Sequence, residues 1–356
     1  MQGQELDRDT PPVPIPGVPA PVVAVPFVPV PFVPVPIGPG LLRIKVPLPF
    51  PPHDVNAWLL AQEGGWTLID SGVDDAATRA GFTAALAHPL LEGRPVVRLL
   101  VTHFHPDHIG LAGWLQAQTG APLHMSRVDW LQARLLLAEP PAAMMDQLVR
   151  HARWCGAPEA FLEYLPRRGP LFPKWVGPVP ERYVRIKADD RLSLAGTDWR
   201  VLIGEGHAPE MLCLHSAERK VLIAADQILA RITPHIGAYY AEPEGDPLGA
   251  YLASLTQFEA LDADTWVLPS HGEPFHGLHA RISALRTHHA ERLDRLRAFC
   301  VTPRTVMETT AVLFRALAVE QIGFGLSEAL AHLRHLVARG EFAVETEAGC
   351  GAFRRI

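Results

Sequence analysis

The chain has 356 residues, 48% of them hydrophobic, with 32 Lys and Arg against 38 Asp and Glu and a net charge of −6. That length and composition can bury a large core and suggest one large domain with additions instead of several equal ones. The acidic balance disfavours nucleic acid as the main partner, because phosphate binding shows as a basic excess, and no stretch is long and apolar enough to span a membrane.

Residues 11–39 alternate Val, Phe and Ile with proline, as in Val25-Pro26-Phe27-Val28-Pro29-Val30-Pro31. Proline at this density excludes a helix and cannot donate to a sheet ladder, so residues 1–40 are expected to form an extended, disordered polyproline arm. The leader before it carries acids and a single Arg, which does not read as an export signal. The cysteines, Cys155, Cys213, Cys300 and Cys350, are widely spaced. They read as reduced thiols of a cytoplasmic protein, with Cys213 foremost a core thiol.

The folded part is expected from Leu41. Residues 55–60 and 66–69 read as strands around the turn Gln62-Glu63-Gly64-Gly65. Helical spacing covers 76–87 and 109–119, where Gly110 and Gly113 permit close packing by the second helix. Apolar strands are expected at 96–101, 199–203, 221–225 and 266–268. Between about 125 and 185 the pattern changes to helices at 128–137, 142–154 and 158–165, followed by a Pro/Gly-rich stretch. This is a helical insertion between two strand-rich halves. Its Met144, Met145, Trp154, Phe161, Tyr164, Phe172 and Trp175 read first as a small core of its own and second as an apolar lid over a site. After residue 279 the chain turns helical, at 279–299, 305–317 and 326–339, and ends in a hairpin of 341–344 with 352–355.

The segment Thr102-His103-Phe104-His105-Pro106-Asp107-His108-Ile109-Gly110 places three imidazoles and a carboxylate within six positions, directly after an apolar strand. That is the composition of a metal-binding loop. Further candidates stand in the same setting, each just past the carboxyl end of an apolar strand: His207, Asp226 and His271. Imidazole and carboxylate donors without cysteine suit zinc first, with iron or manganese as alternatives. A shared carboxylate can hold two divalent ions, and water between them is deprotonated near neutral pH into a nucleophile. Asp107 and Asp226 are the catalytic carboxylates of such a site. Asp70 reads either as an orienting partner of a ligand histidine or as a carboxylate that merely ends its strand.

The ordered set His103, His105, Asp107, His108, His207, Asp226 and His271, preceded by Leu68-Ile69-Asp70-Ser71-Gly72, resembles the metallo-β-lactamase-fold hydrolases, especially their glyoxalase II-like branch. The resemblance covers about residues 43–280. It implies an α/β fold: an αββα sandwich over 41–279 and a winged-helix-like tail over 280–356, as on the β-lactamase-like protein 2 group. It also implies one metal held by His103, His105 and His207, a second held by Asp107, His108 and His271, and Asp226 bridging. Two departures stand out. Ser71 replaces the usual Thr, and Gly206-His207-Ala208-Pro209-Glu210 replaces a usual Gly-His-Ser/Thr-Pro-Gly, which puts the loop shape beside His207 in question.

The expected activity is hydrolysis of a small ester-like substrate, foremost a thioester of the acyl-glutathione or acyl-coenzyme A type, whose thiolate leaves without a proton. The rivals are a phosphodiesterase or endoribonuclease, with His235 or His276 as acid and the tail gripping RNA, and a lactone or lactam hydrolase. A binding protein without turnover is the remaining alternative. Tyr239, Tyr240 and His235, in the loop after Asp226, are the candidate substrate contacts. The tail is expected to serve packing or homo-oligomer formation, since acids interleave with its arginines.

Overall fold

The computed structural model describes residues 31–347 and 349–356. The first sheet runs in spatial order through β1 (Val35–Gly38), β2 (Leu41–Pro47), β3 (Asp54–Gln62), β4 (Gly65–Ile69), β5 (Val96–Leu100), β6 (Leu123–Met125) and β7 (Val184–Arg185). Pairing is antiparallel as far as β4 and parallel from β4 to β7. The second sheet holds β8 (Arg191–Leu194), β9 (Thr197–Gly204), β10 (Met211–Ser216), β11 (Val221–Ala225) and β12 (Trp266–Pro269), antiparallel except for the β11–β12 pair.

The two sheets pack face to face. Leu41, Trp58, Leu60, Ile69 and Leu100 of the first meet Trp199, Val201, Leu212, Leu214 and Ile223 of the second in one buried cluster. Helices cover both outer faces. On the first sheet lie α1 (Ala76–Leu86), the single turn α2 (Pro106–Ile109) and α3 (Ala112–Thr119). Helix α1 starts where the Asp75 carboxylate accepts from Thr78 N, and it buries Thr78, Phe82 and Ala85, a spacing that puts them on one face. The architecture is therefore αββα.

Between β6 and β7 the chain forms α4 (Arg127–Ala138), α5 (Pro141–Trp154), α6 (Glu159–Arg168) and the short α7 (Phe172–Trp175). On the second sheet lie α8 (Pro247–Glu259) and α9 (Leu278–Phe299), joined by α10 (Val306–Leu313) and α11 (Ile322–Ala338). A third sheet, β13 (Arg304–Thr305), β14 (Phe342–Glu347) and β15 (Cys350–Arg355), closes the tail in the order β13-β15-β14. Met145, Phe161, Leu162 and Leu165 of the insertion belong to the same buried cluster as Leu285, Val306, Leu326 and Leu330 of the tail. These side chains of the insertion thus pack against the tail, with Trp154 edge-on to Phe353 at 6.2 Å, whereas Phe172 packs with Val101 and Ile109 and Trp175 against Phe50.

Several expectations change. Residues 1–30 of the expected arm lie outside the described residues, but its last part is folded. Phe32 packs on Phe82 at 5.9 Å, and β1 pairs with β2 although it contains Pro36. An edge strand tolerates a proline whose missing N–H would have faced away from the ladder. The helix expected over 109–119 is α3 and starts only at Ala112, after the separate turn α2 has ended at Ile109. At Gly113 a Cβ would stand 1.8 Å from the Pro178 carbonyl, so the close neighbour this glycine admits is the stretch after α7. Strand β10 and helix α8 carry no motif and were not anticipated. All four cysteines are free, and among the described residues no helix is long and apolar enough to cross a membrane.

Phe82 is fully buried between α1 and the sheet. Phe82→Ala should lower unfolding free energy by about 3–5 kcal/mol in a denaturant titration while metal content stays unchanged. A loss below about 1 kcal/mol would mean that the site collapses without a cavity.

Candidate metal centre

Strands β4, β5, β9, β11 and β12 all end at one edge of the sandwich, and the residues that follow them converge there. His103 Nε2, His105 Nδ1 and His207 Nε2 form a triangle with sides of 3.0, 2.9 and 3.3 Å. Beside it, His271 Nε2 lies 3.3 Å and His108 Nε2 3.5 Å from Asp107 Oδ2. Asp226 spans the two groups: its Oδ2 is 3.3 Å from His207 Nε2 and 3.4 Å from His271 Nε2, and its Oδ1 is 3.7 Å from His108 Nε2. All seven expected ligands are thereby brought together, in triads compatible with metal binding.

Four of the five rings are aimed by what their other nitrogen touches. His108 Nδ1 lies 2.9 Å from Asp70 Oδ2. His207 Nδ1 donates to the His235 carbonyl at 2.8 Å and His271 Nδ1 to the Asp54 carbonyl at 2.7 Å. His103 Nδ1 meets Thr102 Oγ1 at 3.0 Å. These contacts leave the inner nitrogens' lone pairs facing the cluster, as ligand histidines require. Asp70 also accepts from Thr102 N and Oγ1, so it fixes both the loop and a ring.

Backbone strain helps to aim the donors. Asp70 and Ala225 both have left-handed φ, +61° and +48°, and for Ala this costs roughly 1–2 kcal/mol. The register between β11 and β12 shifts at Ala225, which turns Asp226 toward the edge. Gly206, with φ +95°, lies so close to α8 that a Cβ would stand 2.5 Å from the Pro247 carbonyl.

Electrostatics separate the two halves. Burial, and after it the neighbouring rings, push His103 and His105 well below the ordinary histidine range, so they stay neutral. At His271 and His108 burial also disfavours charge, but the surrounding carboxylates outweigh it, taking His271 up to about 10 and His108 well above its usual value. Asp107 is correspondingly held at about 2: burial would raise it, and His108 and His271 outweigh that. Two buried atoms, His108 Nε2 and Asp226 Oδ1, have no hydrogen-bond partner. Orphaned ligand atoms of this kind fit a cation. The nitrogen triangle matches too, because a tetrahedral centre with bonds of about 2.0–2.1 Å has edges of about 3.3 Å.

Nothing in the sequence singles out Asp129. This buried carboxylate on α4 accepts from Phe104 N at 3.1 Å and Glu210 N at 2.8 Å, tying the insertion to both histidine loops. Burial pushes it up to about 6. Its one local sign is Ser126, which caps α4 and shares a hydrogen bond with it. The other partners are distant in sequence. Glu210, the departure noted beside His207, accepts from Val128 N at 3.2 Å with its side chain and so docks the loop on the insertion.

The candidate substrate contacts lie outside the cluster. The His235 ring faces Ser327 Oγ at 3.1 Å and Glu328 Oε2 at 3.5 Å, so this residue meets the centre through its carbonyl. Tyr239 is exposed beside it. Tyr240 donates to Glu139 Oε2 at 3.0 Å. Cys213 is buried with its Sγ toward the Ala224 carbonyl, and burial raises its thiol far above the usual range.

A family model described as the metallo-beta-lactamase superfamily matches residues 50–271. The chain belongs to the metallo-beta-lactamase superfamily. The superfamily's "metallo-beta-lactamase-like, C-terminal domain" matches residues 293–356. The chain is similar to a beta-lactamase domain protein from Burkholderia ambifaria, at 35% identity and a TM-score of 0.86 over 93% of this chain and 97% of that one. It is also similar to a metallo-beta-lactamase family protein from Thermus thermophilus, at 28% identity and a TM-score of 0.74 over 89% and 99% of the two chains. A Bacillus subtilis (strain 168) protein named "Probable metallo-hydrolase YqjP" is 24% identical over 84% of this chain and 92% of its own length. The protein is a superfamily metal-dependent hydrolase whose His and Asp groups suit a dinuclear site.

The split in protonation has a consequence for loading. Metal must displace protons from His108 and His271 but not from His103 and His105, so affinity for the second group rises more steeply with pH than affinity for the first. Dialysis against a weak chelator should leave about one equivalent at about pH 6 and about two at about pH 8. Simultaneous loss of both at one pH would contradict the separation.

Proposed function

We propose that the protein hydrolyses thioesters with two divalent ions, zinc foremost, held by His103, His105 and His207 and by Asp107, His108 and His271, with Asp226 shared. Bound there, two cations would acidify a water and polarise a carbonyl. The chain's own part is to aim the donors and to keep His103, His105 and Asp107 deprotonated, while His108 and His271 would give up their protons to a cation. Asp226 joins the halves, Asp70 and the His235 and Asp54 carbonyls fix ring orientation, and burial keeps bulk water from competing with the carbonyl.

The observation that carries this reading concerns a proton. The two histidines that could serve as acid for a poor leaving group are engaged elsewhere. The His235 ring faces Ser327 and Glu328. His276 stacks on Trp266 at 6.2 Å, at the start of β12, the opposite end of that strand from His271. A thiolate leaves without a proton, whereas an alkoxide or ribose oxygen is helped by one. In a turnover screen of the metal-loaded protein, thioesters should exceed phosphodiesters and RNA. Asp226→Asn should lower thioester turnover by orders of magnitude with loss of the second metal, and His276→Ala should change it little. A His276 effect as large as that of Asp226 would favour the phosphodiester reading.

A cleft of about 420 Å³ lies between α5, the loop after β11 and α11, lined by Gln147, Arg150, His151, Trp154, Tyr240, Glu244 and Arg334 among others. Arg334 stands over the Trp154 and Phe353 rings, and its buried Nε has no partner. Glu139 accepts from both Tyr240 and Gln147 and so fixes the wall. In the loop that forms this wall, His235 stands five residues before Tyr240, a reach of at most about 18 Å. With Arg150 and Arg334 against the single acid Glu244, the cleft suits the anionic end of a long thiol leaving group. Arg334→Met should raise KM several-fold for a thioester of an anionic thiol and leave KM for one of a small neutral thiol unchanged; equal effects on both would remove the cleft from substrate binding.

A further inference from the structure

The carbonyl that aims His207 belongs to a segment with no regular structure: after β11, residues 231–245 form neither helix nor strand. Such a segment does not hold a ligand in place by itself, since it lacks the ladder that fixes a strand end. What grips it comes from the tail. Arg281 of α9 donates to the Leu229 carbonyl at 2.6 Å and to the Ile232 carbonyl at 2.7 Å. Ala238 N donates to the Ser327 carbonyl at 3.0 Å. At the centre of this grip is the His235 ring, with Ser327 Oγ 3.1 Å from its Nε2, Glu328 Oε2 3.5 Å from its Nδ1 and Phe324 edge-on at 5.1 Å.

Glu328 is itself buried and ion-paired with Arg292, and its backbone carbonyl meets His332 Nδ1 at 2.7 Å. A buried carboxylate persists only where charged and hydrogen-bonding partners surround it. Such a carboxylate is a rigid point against which a ring can be set. We infer that Ser327 and Glu328 of α11 are positioning residues of the metal centre: by holding the His235 ring they hold its carbonyl, and through that carbonyl they set the orientation of the His207 imidazole. The tail is on this account a structural part of the site that the preceding domain builds. The inference rests on the reading of His207 as a ligand of the first metal.

The test uses the full-length protein loaded with cobalt(II), whose visible absorption reports the ligands' geometry. Ser327→Ala and Glu328→Gln are compared with wild type and with Arg354→Gln, which touches only the terminal hairpin. Far-UV circular dichroism checks folding. Expected are a shifted cobalt spectrum and a roughly 10–100-fold loss of affinity for the first equivalent, on the order found for partners of ligand histidines, with the second equivalent and the Arg354 variant unchanged. If Glu328→Gln does not fold, because Arg292 is left buried without its partner, Ser327→Ala decides with a smaller shift in the same direction. A folded Ser327→Ala protein with wild-type spectrum and affinity would overturn the inference. A wild-type protein that binds no cobalt would instead overturn the metal reading on which it rests.

Discussion

Seven side chains are packed away from water at one edge of this sandwich, and most of the rings stay in place because their outer sides are held by something else. Four of the five imidazoles are fixed in this way, by the Asp70 carboxylate, the Thr102 hydroxyl and the carbonyls of Asp54 and His235. Those anchors are far apart along the chain. The cluster can therefore form only after the sheets have closed on each other. Asn56 shows the closure directly: from the first sheet, its side chain donates to the carbonyls of Pro269 and Gly272 on either side of His271. Leu212 N of the second sheet donates to the Thr102 carbonyl.

The same requirement explains where strain is kept. Left-handed residues at Asp70 and Ala225, and Gly206 pressed against α8, lie one or two links from a ligand. A regular strand would continue its pleat and carry its last side chain along the sheet face. A turn at Ala225 or Gly206 sends the next donor, Asp226 or His207, over the edge instead, and at Asp70 a carboxylate meets the His108 ring. The cost is small beside the buried cores on both sides of the sheets, which is why the strained points persist.

The insertion and the tail act on the centre from opposite sides. Asp129 of α4 holds the backbone of the His103–His105 loop and of Glu210, while α11 holds the His235 segment. Insertion and tail also share a core. The two additions thus form one frame around the donor edge, and the cleft with Arg334 lies where they meet. The mutual packing accounts for the burial of Met145, Phe161 and Leu162.

The three ligand-bearing strand ends of the second half and the loop from His103 to His108 are legible in the amino-acid order, because they are local signals: apolar runs with histidines and carboxylates directly behind them; the αββα plan follows only from the family resemblance that these motifs carry. A change of periodicity likewise marks the insertion and the helical tail. The end of the proline-rich stretch is misread from that order, since whether Pro36 can join a sheet depends on which edge is free. Asp129, the two carbonyls that orient His207 and His271, and the engagement of the His235 ring carry no comparable signal. A carbonyl has no identity in a sequence, and a carboxylate on a helix reads as solvated until the fold buries it. These features were left to the folded state, because each is a contact between segments that only closure of the two sheets brings within hydrogen-bond distance.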